Sequence, residues 1–566
     1  MKEIVLSHDR NTLLAELRDQ PDVQVLIVGG GINGVGMLRD LALQGVNVLL
    51  VDKSDFCAGA SAASTRVIHG GLRYLENFEL RLVRESLHER NRLIRNAPHY
   101  VRPLPTTIPI FNWTGGIGHI VRKALHIPSK PGGRGALVVK IGLSLYDFLT
   151  RSERVLPTHR FTSRKEALSL RPELNPAIVC TATYYDASIA YPERLCLELV
   201  LDSESAGGRA LNYVGVEGAS GGSVTLRDTI TGATLTVKPQ IVVNATGAWI
   251  DFTNKALRHT TRFIGGTKGS HLVLDQPELL EATKRQMLYF ENDDGRICIF
   301  YRTFDRVIAG STDIPVDDPE TAVCEDDEVD YLLDSIRQVF PQIRVNRSQI
   351  VFRFCGVRPL PDSKVVTTGQ ISRDHSAQMT PPGDGIDFPI YSLIGGKWTT
   401  FRAFAEQVTD EVLPHLKLSR RSNTRDLRIG GGKNYPDDTA GWIAEHAQQS
   451  GLTRERMADL LERYGTRAAE VADYLGAAPD HPLQSNSAYS AREIQFMVEH
   501  EYALHVEDIL LRRTLLALLG ELSEALLAEI AGIMAQPLGW SAAQTTQEIA
   551  RTIDLLRTRA GVELSP

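Results

Sequence analysis

Val25-Leu-Ile-Val-Gly-Gly-Gly-Ile-Asn-Gly-Val-Gly36, followed by Val48-Leu-Leu-Val-Asp52, reads as a strand, a glycine turn, a helix and a second strand. The β-branched apolar run before the turn and the acid closing the next strand make this a dinucleotide-binding unit rather than a chance Gly-x-Gly-x-x-Gly. Gly29 permits the tight turn, Gly31 lets the backbone approach a pyrophosphate, and Gly34 allows helix and strand to pack closely. The helix beginning near Ile32 and Asn33 offers unpaired N–H groups to the anion. Asp52, roughly twenty residues on, is expected at a ribose hydroxyl.

Downstream, Ala60-Ser-Ala-Ala-Ser-Thr-Arg-Val-Ile-His-Gly-Gly-Leu-Arg-Tyr-Leu-Glu76 is rich in small and hydroxylated residues, which allow close approach to a flat group. Ser64, Thr65, Gly70 and Gly71 are expected at the cofactor. A polar helix follows from Glu79 to Arg95 and stops before Pro98. Ala210 to Lys238 alternates in short runs broken by glycine and asparagine, the pattern of antiparallel hairpins. It leads into Gln240-Ile-Val-Val-Asn-Ala-Thr-Gly-Ala-Trp-Ile250, a buried strand ending in a small-residue turn at Ala245 and Gly247; the pattern resembles two-dinucleotide flavoproteins, in which this position returns to the cofactor. A strand-rich region continues to about Leu360, and Ile390-Tyr-Ser-Leu-Ile-Gly-Gly-Lys-Trp-Thr-Thr400 repeats the strand, Gly-Gly, helix passage. There Gly396 and Lys397 stand beside a second helix dipole.

A chain of 566 residues holds two to four domains, enough to bury an extended cofactor. Its net charge of -7 argues against a nucleic-acid binder. Six cysteines without a Cys-x-x-Cys pair suggest neither a zinc site nor a disulfide framework, and fit a reducing, cytoplasmic compartment. The N-terminus has no apolar signal core and no later run has bilayer-spanning length, so any membrane contact is expected to be peripheral. Between Asn112 and Lys140 the charge reverses: Arg122, Lys123, Lys130, Arg134 and Lys140 appear with no acid, among apolar residues and Trp113. That stretch is either a solvated excursion or a segment that docks on an anionic bilayer surface. Gly430-Gly-Gly-Lys-Asn-Tyr-Pro436 has linker composition, and from about Thr439 to Leu556 the helical period predominates, as in Val506 to Leu519.

The remaining chemistry is cationic. Arg73, His271, Arg358, Arg373 and Lys397 lie in or beside glycine-containing turns, and arginines that converge suit a phosphate or carboxylate through bidentate bonds. No metal is called for.

The segments Gly29-Gly-Gly-Ile-Asn-Gly34, Val67-Ile-His-Gly-Gly-Leu-Arg-Tyr-Leu-Glu76, Val243-Asn-Ala-Thr-Gly-Ala-Trp249, Lys268-Gly-Ser-His271, Ser311-Thr-Asp313, Gly356-Val-Arg-Pro-Leu360 and Gly395-Gly-Lys-Trp-Thr-Thr400 occur in one order. Together they resemble the FAD-dependent glycerol-3-phosphate dehydrogenase family, and Leu510-Leu-Arg-Arg-Thr514 is similar to its C-terminal signature. The resemblance implies an α/β fold: a Rossmann-like FAD-binding domain, a β-rich substrate domain and an all-helical C-terminal domain. The expected division gives FAD-binding segments at about 20–105, 160–260 and 350–425, a substrate domain at about 106–159 and 261–349, and helices at 436–566. The implied reaction oxidises sn-glycerol 3-phosphate to dihydroxyacetone phosphate, with hydride passing to FAD and electrons to a membrane quinone at the cytoplasmic face of the inner membrane. An oxidase that uses oxygen and a non-catalytic flavin-binding sensor are the alternatives, and the resemblance leaves room for a homodimer. Arg358 and Arg373 would hold the substrate, with Arg73, Tyr74, His271 and Lys397 completing the pocket. His271 is the first candidate to accept the C2 hydroxyl proton, with Arg358 stabilising an alkoxide as its rival, and Lys397 would balance charge on the cofactor. Arg302, in Phe300-Tyr-Arg-Thr-Phe304 where the family usually has Ile-Pro, is expected to influence substrate choice.

Overall fold

The computed structural model describes residues 10–77, 79–116, 134–151, 153–292, 294–362 and 373–564. The first apolar run forms the strand Asp22–Val28, buried on both faces from Val25 onward, as befits the middle of a parallel sheet. It lies between Val48–Val51 and Thr234–Asn244, both parallel to it, with Leu26 opposite Leu49 on one side and Val242 on the other. Arg209–Leu211 and Ile390–Ile394 extend the sheet in parallel, and Ser376–Thr380 closes one edge antiparallel. Parallel neighbours need crossovers. Helix Ile32–Leu43 supplies the first, and helices Pro192–Glu204 and Phe401–Val412 pack against it. The hairpin pattern between Ala210 and Lys238 becomes the ribbon Val214–Ser220, Ser223–Asp228 and the start of Thr234–Asn244.

Among the described residues a second sheet has ten strands and is mostly antiparallel. Its strand Thr267–Leu274 pairs with Arg306–Gly310 on one side and Ile350–Arg358 on the other. Helix Asp326–Val339 covers one face, where Leu332, Leu333 and Ile336 join Leu272, Leu274, Phe300 and Ala309 in a core of their own. Alternation along the strand therefore turns His271 to the opposite face, which looks into a cavity. Strands Cys180–Ile189 and Ile350–Arg358, from stretches expected in the cofactor-binding part, also belong to this sheet. Alternation fixes which residues share a face and is silent about which sheet a strand joins.

Beyond residue 438 helices are joined by turns. Asp438, Thr453, Ser490, Ser523 and Ser541 each accept a hydrogen bond from the backbone N–H three residues on, the usual start of an exposed helix. Gly430–Gly432 is a buried turn rather than a loose linker: a Cβ on Gly431 would lie 2.0 Å from the Tyr464 carbonyl oxygen, so these glycines serve close packing. The even period from Val506 to Leu519 is also broken. Helix Val506–Asp508 widens into a π turn at Ile509–Arg513, Thr514 is extended, and a short helix follows at Leu516–Leu519.

Among the described residues no helix is long and apolar enough to cross a membrane. Residues 117–133, most of the basic excursion, lie outside the described residues. Beside them Trp113 is exposed, and Leu137, Ile141 and Phe148 are exposed along one face of helix Ala136–Leu149.

Candidate active site

The two sheets and the C-terminal helices enclose a cavity of about 830 Å³. One end is built on the first glycine turn. Gly29 has φ +109°, and a Cβ there would lie 2.7 Å from the Ala245 carbonyl, so the turn can close against the neighbouring strand only as glycine. At Gly34 a Cβ would fall 1.8 Å from the Gly29 carbonyl oxygen, which is why helix Ile32–Leu43 starts so close to the strand. Gly34 thus sits behind the wall, while Gly29, Gly31, Ile32 and Asn33 line it.

Ser61 Oγ accepts the Ile32 N–H at 3.0 Å, and Asp52 accepts from Gly30 N–H at 2.6 Å and from Ser54 N–H at 2.8 Å. Burial nevertheless pushes the Asp52 carboxyl up to about 6. Ser64, Thr65, Ala245, Gly247 and Gly396 also face the cavity. Gly247, at φ +61°, has open space where a Cβ would be, and Gly396 lies against the Asn33 amide. Asn33 Nδ2 donates to the Gly395 carbonyl at 3.1 Å, whereas its Oδ1 is buried with no protein partner. A glycine-walled cradle, a helix N-terminus, a carboxylate and an unused acceptor together fit an extended dinucleotide. Gly70 and Gly71 do not line the cavity. Gly70 N–H donates to the Tyr146 hydroxyl and to Asp186 behind the wall, and Gly71, at φ +77°, turns the chain into the 3-10 helix Leu72–Asn77.

The other end carries the cations. Tyr74, His271, Arg358, Arg373 and Lys397 all reach the cavity; Arg73 is half-buried outside its lining. Arg358 donates to Asp313 at 3.1 Å and to Ser311 Oγ at 2.9 Å, and Arg373 meets the second oxygen of Asp313 at 3.4 Å. One carboxylate therefore holds two guanidinium groups side by side. Burial, reinforced by Arg373, lowers Arg358 to about 10. A Cβ on Gly269 would enter the Arg358 guanidinium, which identifies the space that glycine leaves. His271 stacks on Phe354 with centroids 4.8 Å apart and lies 3.3 Å from Thr65 Oγ1. Its burial, with Arg358 nearby, brings it down to about 3. Lys397 donates to Ser86 Oγ at 2.8 Å and stands 4.6 Å over the Tyr74 ring. Burial lowers its ammonium to about 7, against the opposing pull of Glu85 and Asp374.

Several residues at the site were not anticipated. Asp313 ends Ser311-Thr-Asp313, but nothing local marks an acid as the holder of two distant arginines. His69 lines the cavity, brought to about 3 by burial and by Lys397. Trp398 Nε1 donates to the Ser61 carbonyl at 2.9 Å and ties the second glycine passage to the first. Arg302, expected to influence substrate choice, is outside the lining and donates to the Phe304 carbonyl at 2.7 Å. The C-terminal helices contribute Glu507, Leu511, Arg512, Leu518, Leu555 and Arg559 to the same wall, which a separate domain read from helical period does not foretell.

Residues 24–382 match the family described as FAD dependent oxidoreductase, and residues 422–545 match the C-terminal domain of alpha-glycerophosphate oxidase. A glycerol-3-phosphate dehydrogenase of Synechocystis is 34% identical, covering 94% of this chain and 97% of its own length. The mitochondrial glycerol-3-phosphate dehydrogenase of Mus musculus is 28% identical, covering 95% of this chain and 74% of its own. Among solved structures, the glycerol-3-phosphate dehydrogenase of Bacillus halodurans complexed with FAD superposes with a TM-score of 0.74 at 23% identity, over 97% of each chain. L-alpha-glycerophosphate oxidase of Mycoplasma pneumoniae, with FAD bound, gives 0.53 at 19% identity, over 72% of this chain and 98% of its own.

Proposed function

Because the chain belongs to the FAD-dependent glycerol-3-phosphate dehydrogenase family, with FAD as its cofactor, we propose that it oxidises sn-glycerol 3-phosphate to dihydroxyacetone phosphate and delivers the electrons to a membrane quinone. The observation that carries the substrate class is the pair Arg358 and Arg373 on Asp313 at the end of the cavity. Two fixed forks of this kind bind a phosphate far better than a neutral polyol. The Tyr74 ring and hydroxyl close the same end, and Arg73 stands next to it in the chain.

When bound, FAD supplies the acceptor for the hydride from C2. The C2 hydroxyl must then lose its proton. Lys397 takes it in this reading: it lines the cavity, and a value of about 7 leaves an appreciable fraction as free amine near neutral pH. His271, with a value of about 3, is a weak base held flat against Phe354, so the role moves from it to Lys397 and His271 orients the substrate as a neutral ring. Arg358 stabilises negative charge on the C2 oxygen as it develops.

Anaerobic addition of glycerol 3-phosphate should bleach the oxidised flavin absorbance of the purified protein; unchanged absorbance overturns the substrate assignment. Reoxidation in a stopped-flow instrument should be faster with a ubiquinone analogue than with air, and the reverse would favour the oxidase. We propose peripheral contact with a membrane, at the cytoplasmic face of the inner membrane; the exposed Trp113, Leu137, Ile141 and Phe148 support the membrane contact. Sedimentation with anionic vesicles tests that contact, and failure to bind removes it.

A further inference from the structure

Asp55 lies three residues beyond Asp52 and has no exposed surface. Its carboxylate accepts from Arg512 Nε at 2.6 Å and from both terminal nitrogens of Arg513, at 2.7 and 3.0 Å. Asn212 Nδ2 donates to it at 3.0 Å and reaches the Tyr502 carbonyl at 2.9 Å. Arg512 also pairs with Asp508, which accepts the Tyr213 hydroxyl at 2.6 Å. The set is two arginines against two aspartates, all buried, with one aspartate in the cofactor-binding domain and the other three groups in the C-terminal helices.

The two consecutive arginines lie in the π turn Ile509–Arg513, and both of their guanidinium groups reach the Asp55 carboxylate. The target adjoins the cofactor's wall. Asp52, Lys53 and Ser54 line the cavity from one side, and Glu507, Leu511, Arg512 and Leu518 line it from the other. A buried ion set adds little net stability over apolar packing, but losing one member leaves an uncompensated charge, so its chief effect is to fix geometry.

We infer that the Asp55, Arg512, Arg513 and Asp508 cluster is a latch that holds the C-terminal helices in place as the outer wall of the FAD site, so that the cofactor departs only when the latch opens. The glycine turn would hold the pyrophosphate from within the first sheet, whereas the latch would keep the opposite wall in place. The inference concerns retention of FAD and is independent of which alcohol the enzyme oxidises.

The test is the rate of flavin release from the intact holoenzyme, followed by the rise in flavin fluorescence on dilution. Asp55→Asn and Arg513→Met should release FAD about tenfold faster or more than the unaltered protein. Arg463→Met is the control, because the Arg463 side chain pairs with Glu493 and the Ala488 carbonyl inside the C-terminal domain. It should change release by no more than about twofold. Equal release from the latch variants and the unaltered protein overturns the inference, as does equally fast release from the control. Should the latch variants fail to fold, amide hydrogen exchange in the unaltered protein decides. FAD should slow exchange over residues 505–518 relative to the apoprotein, and no slowing there overturns the latch.

Discussion

At the pyrophosphate end of the cavity the wall is largely backbone; at the cationic end it is side chain. Gly29 and Gly34 act through what a Cβ would block, and Gly31, Ala245 and Gly247 leave little or no side chain at the wall they line. Tyr74, His271, Arg358, Arg373 and Lys397 act through charge and shape, and each is fixed by partners from elsewhere in the chain. The first end is a property of turn geometry and should bind whatever presents a diphosphate. The second is a property of mutual placement, with Asp313 as the common anchor, and should decide which alcohol reacts. Damage to one end should therefore leave the other measurable.

The largest separation is expected at Arg358. Arg358→Met should lower kcat/KM for glycerol 3-phosphate by about 10²- to 10³-fold, the usual cost of losing one charge-stabilising donor, with unchanged FAD content and spectrum. Steady-state kinetics and the flavin absorbance of the same preparation check it, and coupled losses would erase the distinction between the ends. Gly34→Ala should do the converse. The contact with the Gly29 carbonyl forces the helix away at a cost of about 1–3 kcal/mol, so FAD should bind about tenfold or more weakly while reconstituted enzyme keeps its kcat.

A pH profile sharpens the cationic end further. Lys397 is lowered from 10.5 to about 7, so it is a charged ammonium below that pH and a free amine above it. The charges acting on it come from Glu79, Glu85, Asp374 and Arg373, with His69 and Tyr74 alongside. The rate of flavin reduction should fall about tenfold per pH unit below 7, and Lys397→Met should lose that limb along with activity. The same shift has a stability consequence of definite sign: between about 7 and 10.5 the unfolded chain binds the extra proton, so stability rises with pH across that window. The smallest effect is expected at the pyrophosphate end. FAD affinity should weaken by less than about tenfold as pH falls through 6, because a protonated Asp52 is a poorer acceptor for a ribose hydroxyl. Titration of the apoprotein with FAD checks it, and Asp52→Asn should flatten the dependence.

Legibility in the sequence follows the same division. The first strand, turn, helix and second strand were readable because every decisive residue lies within thirty positions and each has a local steric role. The buried strand ending at Asn244 is readable from its apolar run, whereas the return at Ala245 and Gly247, which line the cavity, rests on likeness to two-dinucleotide flavoproteins. Gly70 and Gly71 were read as cofactor contacts from composition, although one glycine meets Leu87 and Tyr146 and the other makes a turn. Gly430–Gly432 looked like a linker because glycine for flexibility and glycine for contact are written identically. The proposed proton acceptor is the least legible of all. Burial and neighbouring charge set basicity, and they separate His271 from Lys397 only after the chain has folded.

By itself the sequence determined the dinucleotide unit, the cationic character of the remaining chemistry and the helical nature of roughly the last quarter, since each depends on steric or periodic rules acting over a few turns of chain. Only the tertiary structure decided that Asp313 gathers Arg358 and Arg373, and that Arg512 and Arg513 close on Asp55. It also made the C-terminal helices a wall of the cofactor's cavity. Those outcomes depend on which distant groups share a buried volume, where an unpaired charge is costly and a paired one is held in place.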